Sequence, residues 1–166
     1  NNSLTGIIPT YFGAWASLEW LDLSSNRLTA TLPSEIGQWV SLEILNVAQN
    51  QLQGTIPTQI GTIRRAIRLT LDDNMLQGPI PVELGLLTSL EILSAANNRF
   101  TMSIPSEIGL LPRLQFLSLH GNQLGGTLFT EIGRLTNLRA PSVAGNSLTG
   151  LIPSQLGDLI LSLLPI

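Results

Sequence analysis

The sequence of 166 residues contains no cysteine and no lysine, and both absences restrict what the chain can do. Without cysteine there are no disulfides, no thiolate metal sites and no cysteine nucleophile. The eight positive charges are all arginine, and eleven carboxylates leave a formal net charge of -3. Nucleic-acid binding needs clustered cations that neutralise phosphates, so this balance disfavours a nucleic-acid partner.

Charged and aromatic residues are also scarce, at 11% and 5% of the chain, although 43% of it is hydrophobic. The apolar excess comes from 33 leucines and is not gathered into one long run. Even the apolar stretch at residues 159–164 is far shorter than the roughly 20 residues that cross a bilayer. No basic start followed by an apolar segment is found at Asn1, so neither a membrane span nor a signal peptide is expected in this stretch.

A single 24-residue period organises the whole chain. An asparagine recurs at that spacing without insertion or deletion, at Asn2, Asn26, Asn50, Asn74, Asn98, Asn122 and Asn146. Eleven residues after each asparagine stands a glycine, from Gly13 to Gly157, and seven residues after it stands a proline, except at Phe129. Three residue types that stay in phase over the whole chain indicate a repeat protein of about seven coils.

Each coil has the pattern of a short strand followed by a short helical turn. Leu21 and Leu23, before Asn26, alternate with polar residues and predict a strand with one buried face. In most coils the proline is followed by a hydroxyl residue, often with a carboxylate after it, as in Ser34 and Glu35. Such residues are typical of the start of a helical turn, whose free amides they satisfy, and we interpret the next glycine as the residue that permits the exit.

A single coil buries too few aliphatic side chains to offset the backbone entropy that is lost when the whole coil becomes ordered. Stacking supplies the difference, because neighbouring coils pair their strands into a parallel sheet and close a continuous core. The repeated asparagine belongs to that core, since its amide can satisfy backbone groups of its own coil and of the next. We predict a structural asparagine ladder that consists of Asn26, Asn50, Asn74, Asn98, Asn122 and Asn146.

Two segments carry a family resemblance. Residues 42–57 (LEILNVAQNQLQGTIP) and 104–111 (IPSEIGLL) resemble the plant-type leucine-rich repeat of plant and algal proteins. The resemblance implies an α/β solenoid, a curved right-handed coil with a parallel β-sheet on its concave face and short 3₁₀ or helical turns on its convex side. It also implies a second short pairing along the Leu-x-Gly-x-Ile-Pro segment. Such solenoids are mostly recognition or scaffolding modules, so the fold alone does not define one function.

The resemblance covers essentially the entire chain and predicts a single leucine-rich-repeat domain over residues 1–166. The usual caps of the family are missing. The sequence starts, at Asn1, late in a strand segment. It stops, at Ile166, early in the next coil, where Ser162 and Pro165 replace apolar residues. A core exposed at both ends predicts either a fragment of a longer array or ends that partners cover.

In a repeat protein, specificity lies in the residues that vary while the frame stays constant. The outward positions of each strand segment are its third, fifth, seventh and eighth residues. We predict that the partner-binding residues of the concave face are Trp20, Asp22, Ile44, Asn46, Arg68, Thr70, Asp72, Asp73, Ile92, Phe116 and His120. Most other residues in these columns are small, which makes the face nearly flat and allows another backbone to approach closely.

Two of these features also have a purely structural interpretation. The mainly apolar third positions, from Trp20 to Phe116, form either a strip for a partner or a row of cross-strand packing. Arg68 can hold a carboxylate or phosphate of a partner with two parallel hydrogen bonds, or it can be neutralised by Asp72 or Asp73.

The residue sets that catalysis or metal binding would need are missing from the sequence. His120 is the only histidine, and it stands two strand spacings, roughly 10 Å, from Asp72 in the same column. It lacks a second histidine for a zinc site and a serine–carboxylate set for a triad, so a solvated histidine is the simpler interpretation. The turn-side ladder of Glu35, Glu83, Glu107 and Glu131 is explained by helix-start electrostatics. We predict neither enzyme activity nor a cofactor or metal.

Three departures from the repeat have structural interpretations. Pro141 stands at a strand-core position and lacks a ladder donor, which predicts a weakened or terminal strand. Phe129 replaces the proline and Met102 replaces the usual glycine, and both make the flank of their coils bulkier. Each of these two is a candidate lateral contact.

The leading functional hypothesis is a non-enzymatic binding or scaffold module that recognises a protein or peptide through its concave sheet. One alternative, which the resemblance allows, is an ectodomain fragment of a receptor-like protein. Another is an accessory subunit of a larger assembly, suggested by the low charge, the absent lysine and the unsealed ends. The sequence does not determine the compartment and is compatible with the extracellular space, the cell surface or an organelle.

Overall fold

The computed structural model describes residues 2–157 and shows strands and 3₁₀ turns that recur in phase with the sequence repeat. The strands are β1 (Thr5–Gly6), β2 (Trp20–Asp22), β3 (Arg27–Leu28), β4 (Ile44–Asn46), β5 (Gln53–Gly54), β6 (Arg68–Thr70), β7 (Met75–Pro79), β8 (Ile92–Ser94), β9 (Arg99–Thr101), β10 (Phe116–Ser118) and β11 (Ala140–Ser142). The 3₁₀ turns are η1 (Thr10–Ala14), η2 (Ser34–Gln38), η3 (Thr58–Thr62), η4 (Val82–Leu86), η5 (Ser106–Leu110) and η6 (Thr130–Arg134). The expectations about the two ends concern Asn1 and residues 158–166, which lie outside the described residues.

Six strands form one parallel sheet in the order β2, β4, β6, β8, β10, β11. Its register advances by one full repeat at each step, so that Trp20 pairs with Ile44 and Ile44 pairs with Arg68. The same register continues through Ile92 to Phe116. Equivalent positions of successive coils therefore form straight columns across this sheet, as the repeat predicts.

A second set of parallel pairings runs along the segment after each asparagine. Strand β1 pairs with β3, and β5, β7 and β9 form a three-stranded sheet. Two isolated bridges, Ser103 with Gly125 and Thr127 with Thr149, continue the same pattern. The two sets of pairings and the 3₁₀ turns confirm the predicted solenoid, in which 3₁₀ turns take the place of longer helices.

The repeated aliphatic positions fill one continuous core. Larger residues are accommodated where the repeat varies, since Phe100 at a leucine position and Trp39 are both fully buried. The indole Nε1 of Trp39 donates to the carbonyl oxygen of Phe12 at 2.7 Å, so burial of this ring leaves no polar atom without a partner.

The predicted asparagine ladder is present, and its amides join neighbouring coils. The Nδ2 group of Asn98 donates to the carbonyl oxygen of Leu71 in the preceding coil at 3.0 Å and to that of Ala96 in its own coil at 3.1 Å. Its Oδ1 accepts from the amide of Leu76 at 3.0 Å. The same arrangement recurs at Asn50, Asn74, Asn122 and Asn146, and Asn26 forms part of it. Within residues 2–157, no buried side-chain polar atom lacks a hydrogen-bond partner.

The glycine inside each turn has a different role from the predicted one. Gly61 and Gly109 do not have positive φ, so they are not required for a left-handed exit. Each instead faces the next coil, where a Cβ on Gly61 would lie 2.9 Å from the Cβ of Glu83 and one on Gly109 would lie 2.7 Å from the carbonyl oxygen of Glu131. The glycine is needed because successive turns pack so closely.

The hydroxyl residues at the turn starts do not cap them, which corrects a second expectation. Pro33 occupies the N-cap of η2, and no side chain caps that turn. The hydroxyl of Ser34 donates to the neighbouring carboxylate of Glu35 at 3.2 Å. The backbone closes the turn instead, through the amide of Ile36 and the carbonyl oxygen of Pro33 at 3.1 Å.

Pro141 lies in β11, the last strand within the described residues, and does not weaken its pairing with β10. In earlier coils the amides at alternate strand positions donate to the following coil, as from Leu23 to Asn46 and from Leu119 to Ser142. Pro141 stands at a position of this set. The donor that it lacks is therefore one directed away from β10, as is typical of proline on an edge strand.

Candidate concave binding surface

The third-position column forms a ridge along the concave sheet. Trp20 and Phe116 are exposed, while Ile44 and Ile92 are half-buried between their neighbours. Arg68 is exposed and lies between the two isoleucines in register. The ridge combines apolar side chains with one cation, a surface that suits both cross-strand packing and contact with a partner.

The fifth-position column changes from exposed to buried along the sheet. Asp22 is exposed, Asn46 and Thr70 are half-buried, and Ser94 and Ser118 are buried. Burial by itself raises the pKa of the Asp22 carboxyl, but hydrogen bonds from Ser24 and from the Asn46 side chain hold this pKa below its ordinary value of 3.8. Asp22 is therefore ionised at neutral pH and fixed in orientation.

A hollow with a volume of about 400 Å³ lies on this face. Its lining residues come from four successive coils and are Ala48, Gln49, Asp72, Asp73, Ser94, Ala96, Asn97, Phe116, Ser118 and His120. The alanines at the seventh position beside Asp72 leave room for the hollow, because a larger side chain there would fill it. Of the predicted site residues, this hollow brings together Asp72, Asp73, Phe116 and His120.

The remaining predicted site residues lie on the same sheet but do not line the hollow. They are Trp20, Asp22, Ile44, Asn46, Arg68, Thr70 and Ile92. The repeat pattern did not single out Ser94 or Ser118, which looked like small spacers in the fifth column. The sequence marks them only indirectly, because each stands two residues before a seventh-position residue, Ala96 or His120, that also lines the hollow.

Hydrogen bonds from the next coil hold both aspartates of the hollow. The Oδ1 atom of Asp72 accepts from the hydroxyl of Ser94 at 2.7 Å and from the amide of Ala96 at 2.8 Å. The Oδ1 atom of Asp73 accepts from the side-chain amide of Asn97 at 2.8 Å. Arg68 is not among these donors, so these hydrogen bonds are not the predicted contacts by which Asp72 or Asp73 would neutralise Arg68.

His120 is half-buried and fixed by a neighbour rather than fully solvated. Its Nδ1 atom lies 3.0 Å from the hydroxyl of Ser118, and the tautomer of the ring decides which of the two donates. Ser118 in turn pairs in register with Ser94, the serine that binds Asp72. A carboxylate, two buried hydroxyls and an imidazole therefore line three neighbouring strands.

This row does not have the connections of a catalytic triad. In a triad the carboxylate holds the histidine, and the histidine takes the proton of the serine. Here the carboxylate of Asp72 binds one serine, Ser94, while His120 contacts another, Ser118. Within residues 2–157 there is also no group of three or more His, Asp or Glu side chains that could hold a metal ion. Chemically, the row offers carboxylate oxygens, two hydroxyls and one imidazole that can form hydrogen bonds.

None of the helices formed within residues 2–157 is long and apolar enough to cross a membrane.

The leucine-rich repeat family matches residues 1–52 of the chain, and again residues 89–111 and 113–135. A comparison with curated protein sequences gives no match. Solved structures, in contrast, give many matches.

One similar structure is the ectodomain of the plant membrane receptor kinase GASSHO1/SCHENGEN3 from Arabidopsis thaliana, in complex with CASPARIAN STRIP INTEGRITY FACTOR 2. Its TM-score is 0.94 at 38% sequence identity, and the match covers 96% of this chain and 19% of that chain. Another is the Arabidopsis receptor kinase HAESA in complex with the peptide hormone IDA and the co-receptor SERK1, with a TM-score of 0.93 at 33% identity over 96% of this chain and 27% of that chain. The chain thus spans about a fifth to a quarter of these receptor chains.

A third similar structure is a chain of the BIR3–SERK2 complex from Arabidopsis thaliana, with a TM-score of 0.72 and 34% identity. The match covers 81% of this chain and 71% of that chain. The repeat, the two sets of parallel pairings and these likenesses all agree, and the chain belongs to the leucine-rich repeat family, in its plant-type form.

Proposed function

We propose that this chain is a non-enzymatic recognition module that binds an extended peptide or protein segment along its concave sheet, centred on the hollow around Asp72 and His120. The observation that carries the proposal is the hollow itself, in which two oriented carboxylates and an imidazole lie beside an exposed aromatic ring. Similar plant receptor kinases form complexes with CASPARIAN STRIP INTEGRITY FACTOR 2 or with the peptide hormone IDA, and the second of these complexes supports a peptide as the ligand.

The chemistry of the hollow defines the segment that it would bind. Asp72 and Asp73 provide negative charge, and each keeps acceptor capacity beyond the hydrogen bonds described. Phe116, 39% exposed, offers an apolar surface at the side of the hollow. A segment with a basic side chain next to an apolar one would satisfy both, and the small fifth-position residues would let its backbone lie close to the sheet.

The test is selection of peptides from a phage-displayed library of random dodecapeptides on the immobilised chain. The affinity of each selected peptide would then be measured for the wild type and for the variants Asp72→Ala and His120→Ala. Alanine is the residue that the repeat itself places at this position, at Ala48, Ala96 and Ala144, so both variants should fold. We expect affinity to fall at least tenfold for Asp72→Ala and by a smaller factor for His120→Ala.

Gln59→Ala serves as a control, because this residue is exposed on the opposite, turn side of the solenoid. Selected peptides that bind the two hollow variants as tightly as the wild type would contradict the proposal. Recovery of no binding peptide would contradict it as well.

A receptor ectodomain is the second candidate, favoured by the likeness to two plant receptor kinases at 38% and 33% identity. The matching segment is only part of those receptors, so the activity of a whole receptor is itself a proposal here. Determination of the full open reading frame tests it. A membrane span followed by a kinase segment is the expected result, and an open reading frame without a span would exclude this candidate.

A further inference from the structure

Four departures from the repeat converge on one place outside the concave surface. Val82 stands where every other coil has serine or threonine, and Pro79 stands where the two coils on each side have threonine or serine. Met102 replaces the glycine of the neighbouring coils, and Phe129 replaces the proline of every other coil. All four line the same groove on the flank of the solenoid, between the second set of pairings and the 3₁₀ turns.

The groove has a volume of about 630 Å³ and crosses three successive coils. Phe129 is buried and forms part of its floor, together with Ile80 and Ile104. Val82 and Met102 line it as exposed apolar side chains, at 50% and 69% of their accessible surface. Exposed apolar residues that occur singly need no explanation, but these two lie in one groove with the exposed ring of Pro79.

Met102 is held in an unfavourable backbone conformation. Its φ is 65°, in the left-handed region, where the neighbouring coils place Gly54, Gly78 and Gly126. A glycine would adopt this conformation without strain, and burial does not compensate the methionine because most of its side chain is exposed. Met102 thus keeps a left-handed backbone conformation while its apolar side chain lies exposed in the groove.

Negative charge borders the groove. Glu107 lines it directly, and Glu83 and Glu131 occupy the equivalent position in the two adjacent turns, η4 and η6. Among the residues of the three turns η4, η5 and η6, Arg134 is the only basic one, and it stands at the end of its turn. The hydroxyl of Ser106 donates to the Glu107 carboxylate at 3.4 Å. Because a hydroxyl carries no charge, this hydrogen bond leaves the negative charge of Glu107 in place.

We propose that this groove is a second docking site, distinct from the concave surface, for a partner protein segment that carries a large apolar side chain next to arginine or lysine. The apolar side chain enters between Val82 and Met102, above Phe129. The basic group pairs with Glu107 and with the flanking glutamates. Charge complementarity selects this partner, because an acidic segment would be repelled along the whole row.

The experiment uses the full chain and a phage-displayed library of random dodecapeptides, with counter-selection against a Met102→Gly/Glu107→Gln variant. Both substitutions introduce residues that the repeat itself uses, glycine at Gly78 and Gly126 and glutamine at Gln59 and Gln155, so the variant should fold. Peptides that bind the concave hollow are removed by this step, because the variant keeps the hollow intact. The outcome is therefore independent of the proposed function.

We expect the remaining peptides to be enriched in an apolar residue beside a basic one, and to lose at least tenfold in affinity for Met102→Gly. The affinity for Asp72→Ala should not change. The chain has only two methionines, so labelling of their methyl groups with ¹³C gives two signals, of which that of Met102 should move on peptide binding while that of Met75 stays.

Three results would overturn the proposal. They are recovery of no peptide after counter-selection, a consensus rich in acidic residues, and binding that leaves the Met102 methyl signal in place. Sedimentation velocity tests whether a second copy of the chain occupies the groove instead. A dimer that dissociates on Met102→Gly substitution would show self-association through the groove and would also overturn the proposal.

Discussion

Gly85 lies directly against Glu107 of the next coil, so closely that a Cβ on Gly85 would be 2.6 Å from the carbonyl oxygen of Glu107. The same Cβ would be 2.8 Å from the Cβ of Glu107. Backbone atoms cannot move aside as the end of a flexible side chain can. The repeated glycine therefore permits the close stacking of successive 3₁₀ turns, which a Cβ at this position would prevent.

Gly85→Ala should lower the free energy of unfolding by about 1–3 kcal/mol, because overpacking at a rigid contact shifts the backbone of two turns. Chemical denaturation followed by circular dichroism measures it. Gly125→Ala is the matched control, since its Cβ would meet only the carbonyl oxygen of Ser147, at 3.9 Å, and its φ is not positive. If the two substitutions lower the stability equally, the contact with Glu107 is not the reason that alanine destabilises the fold at position 85.

Much of the fold follows from the repeat period alone. A repeat without insertions permits only one register, so Trp20, Ile44 and Arg68 had to fall in one column. Asparagine at a constant position, with its two donors and its acceptor oxygen, had to bind backbone groups of two coils. These predictions concern positions along the chain, and the repeat determines positions well.

Distances between side chains of neighbouring coils were harder to predict. In the hollow, the Asp72 carboxylate points towards Ser94 and not towards Arg68. The 24-residue spacing of the repeat does not reveal this side-chain conformation. The predicted role of the turn glycines was wrong for the same reason, since the closest contact of a Cβ on Gly85 would be with the next coil. The flank groove was not predicted, because Met102 and Phe129 were recognised only as residues that make the flank bulkier and as candidate lateral contacts, and Pro79 and Val82 were not singled out.

Asn98→Ala should destabilise the fold, because it leaves the buried carbonyl oxygen of Leu71 and the amide of Leu76 without their partner. Each buried polar group that loses its partner costs about 1–3 kcal/mol. Asn98→Asp should be worse at neutral pH, since the new carboxylate faces the carbonyl oxygens that the Asn98 amide had bound. Urea denaturation of both variants at pH 7 measures the difference.

The pH dependence of the Asn98→Asp variant gives a separate test of the ladder. Burial and the facing carbonyls raise the pKa of the introduced carboxyl in the folded state above its unfolded value of about 3.9. The folded variant therefore binds its proton more tightly, and its stability relative to Asn98→Ala should recover as the pH falls from 7 towards 4. A difference between the two variants that does not change over this range would contradict the contacts described for Asn98.

Asp22 should stabilise the first strands of the concave sheet in a manner that acid removes. Its pKa is lowered in the folded state by hydrogen bonds from Ser24 and Asn46, although burial alone would raise it. A lowered pKa gives stability that is present above the unfolded pKa and is lost as the pH falls through the folded value. We expect the stability difference between the wild type and Asp22→Asn to be constant from pH 5 to 8 and to shrink below about pH 4. Denaturation curves of both proteins at each pH measure this difference. A stability difference that persists in acid would contradict the role of Asp22.

Met102→Gly should stabilise the chain although it removes a large side chain. Release of the left-handed conformation at φ 65° gains about 1–2 kcal/mol, while the greater freedom of glycine in the unfolded chain returns about 0.4–1 kcal/mol. The free energy of unfolding should therefore rise, by up to about 1.6 kcal/mol. Gly78→Ala is the opposite control: it stands at the same position with φ 75°, and its Cβ would meet the Thr55 methyl group at 2.9 Å, so it should destabilise. If Met102→Gly instead lowers the stability, the methionine contributes packing to the fold, and its retention would need no partner in the groove.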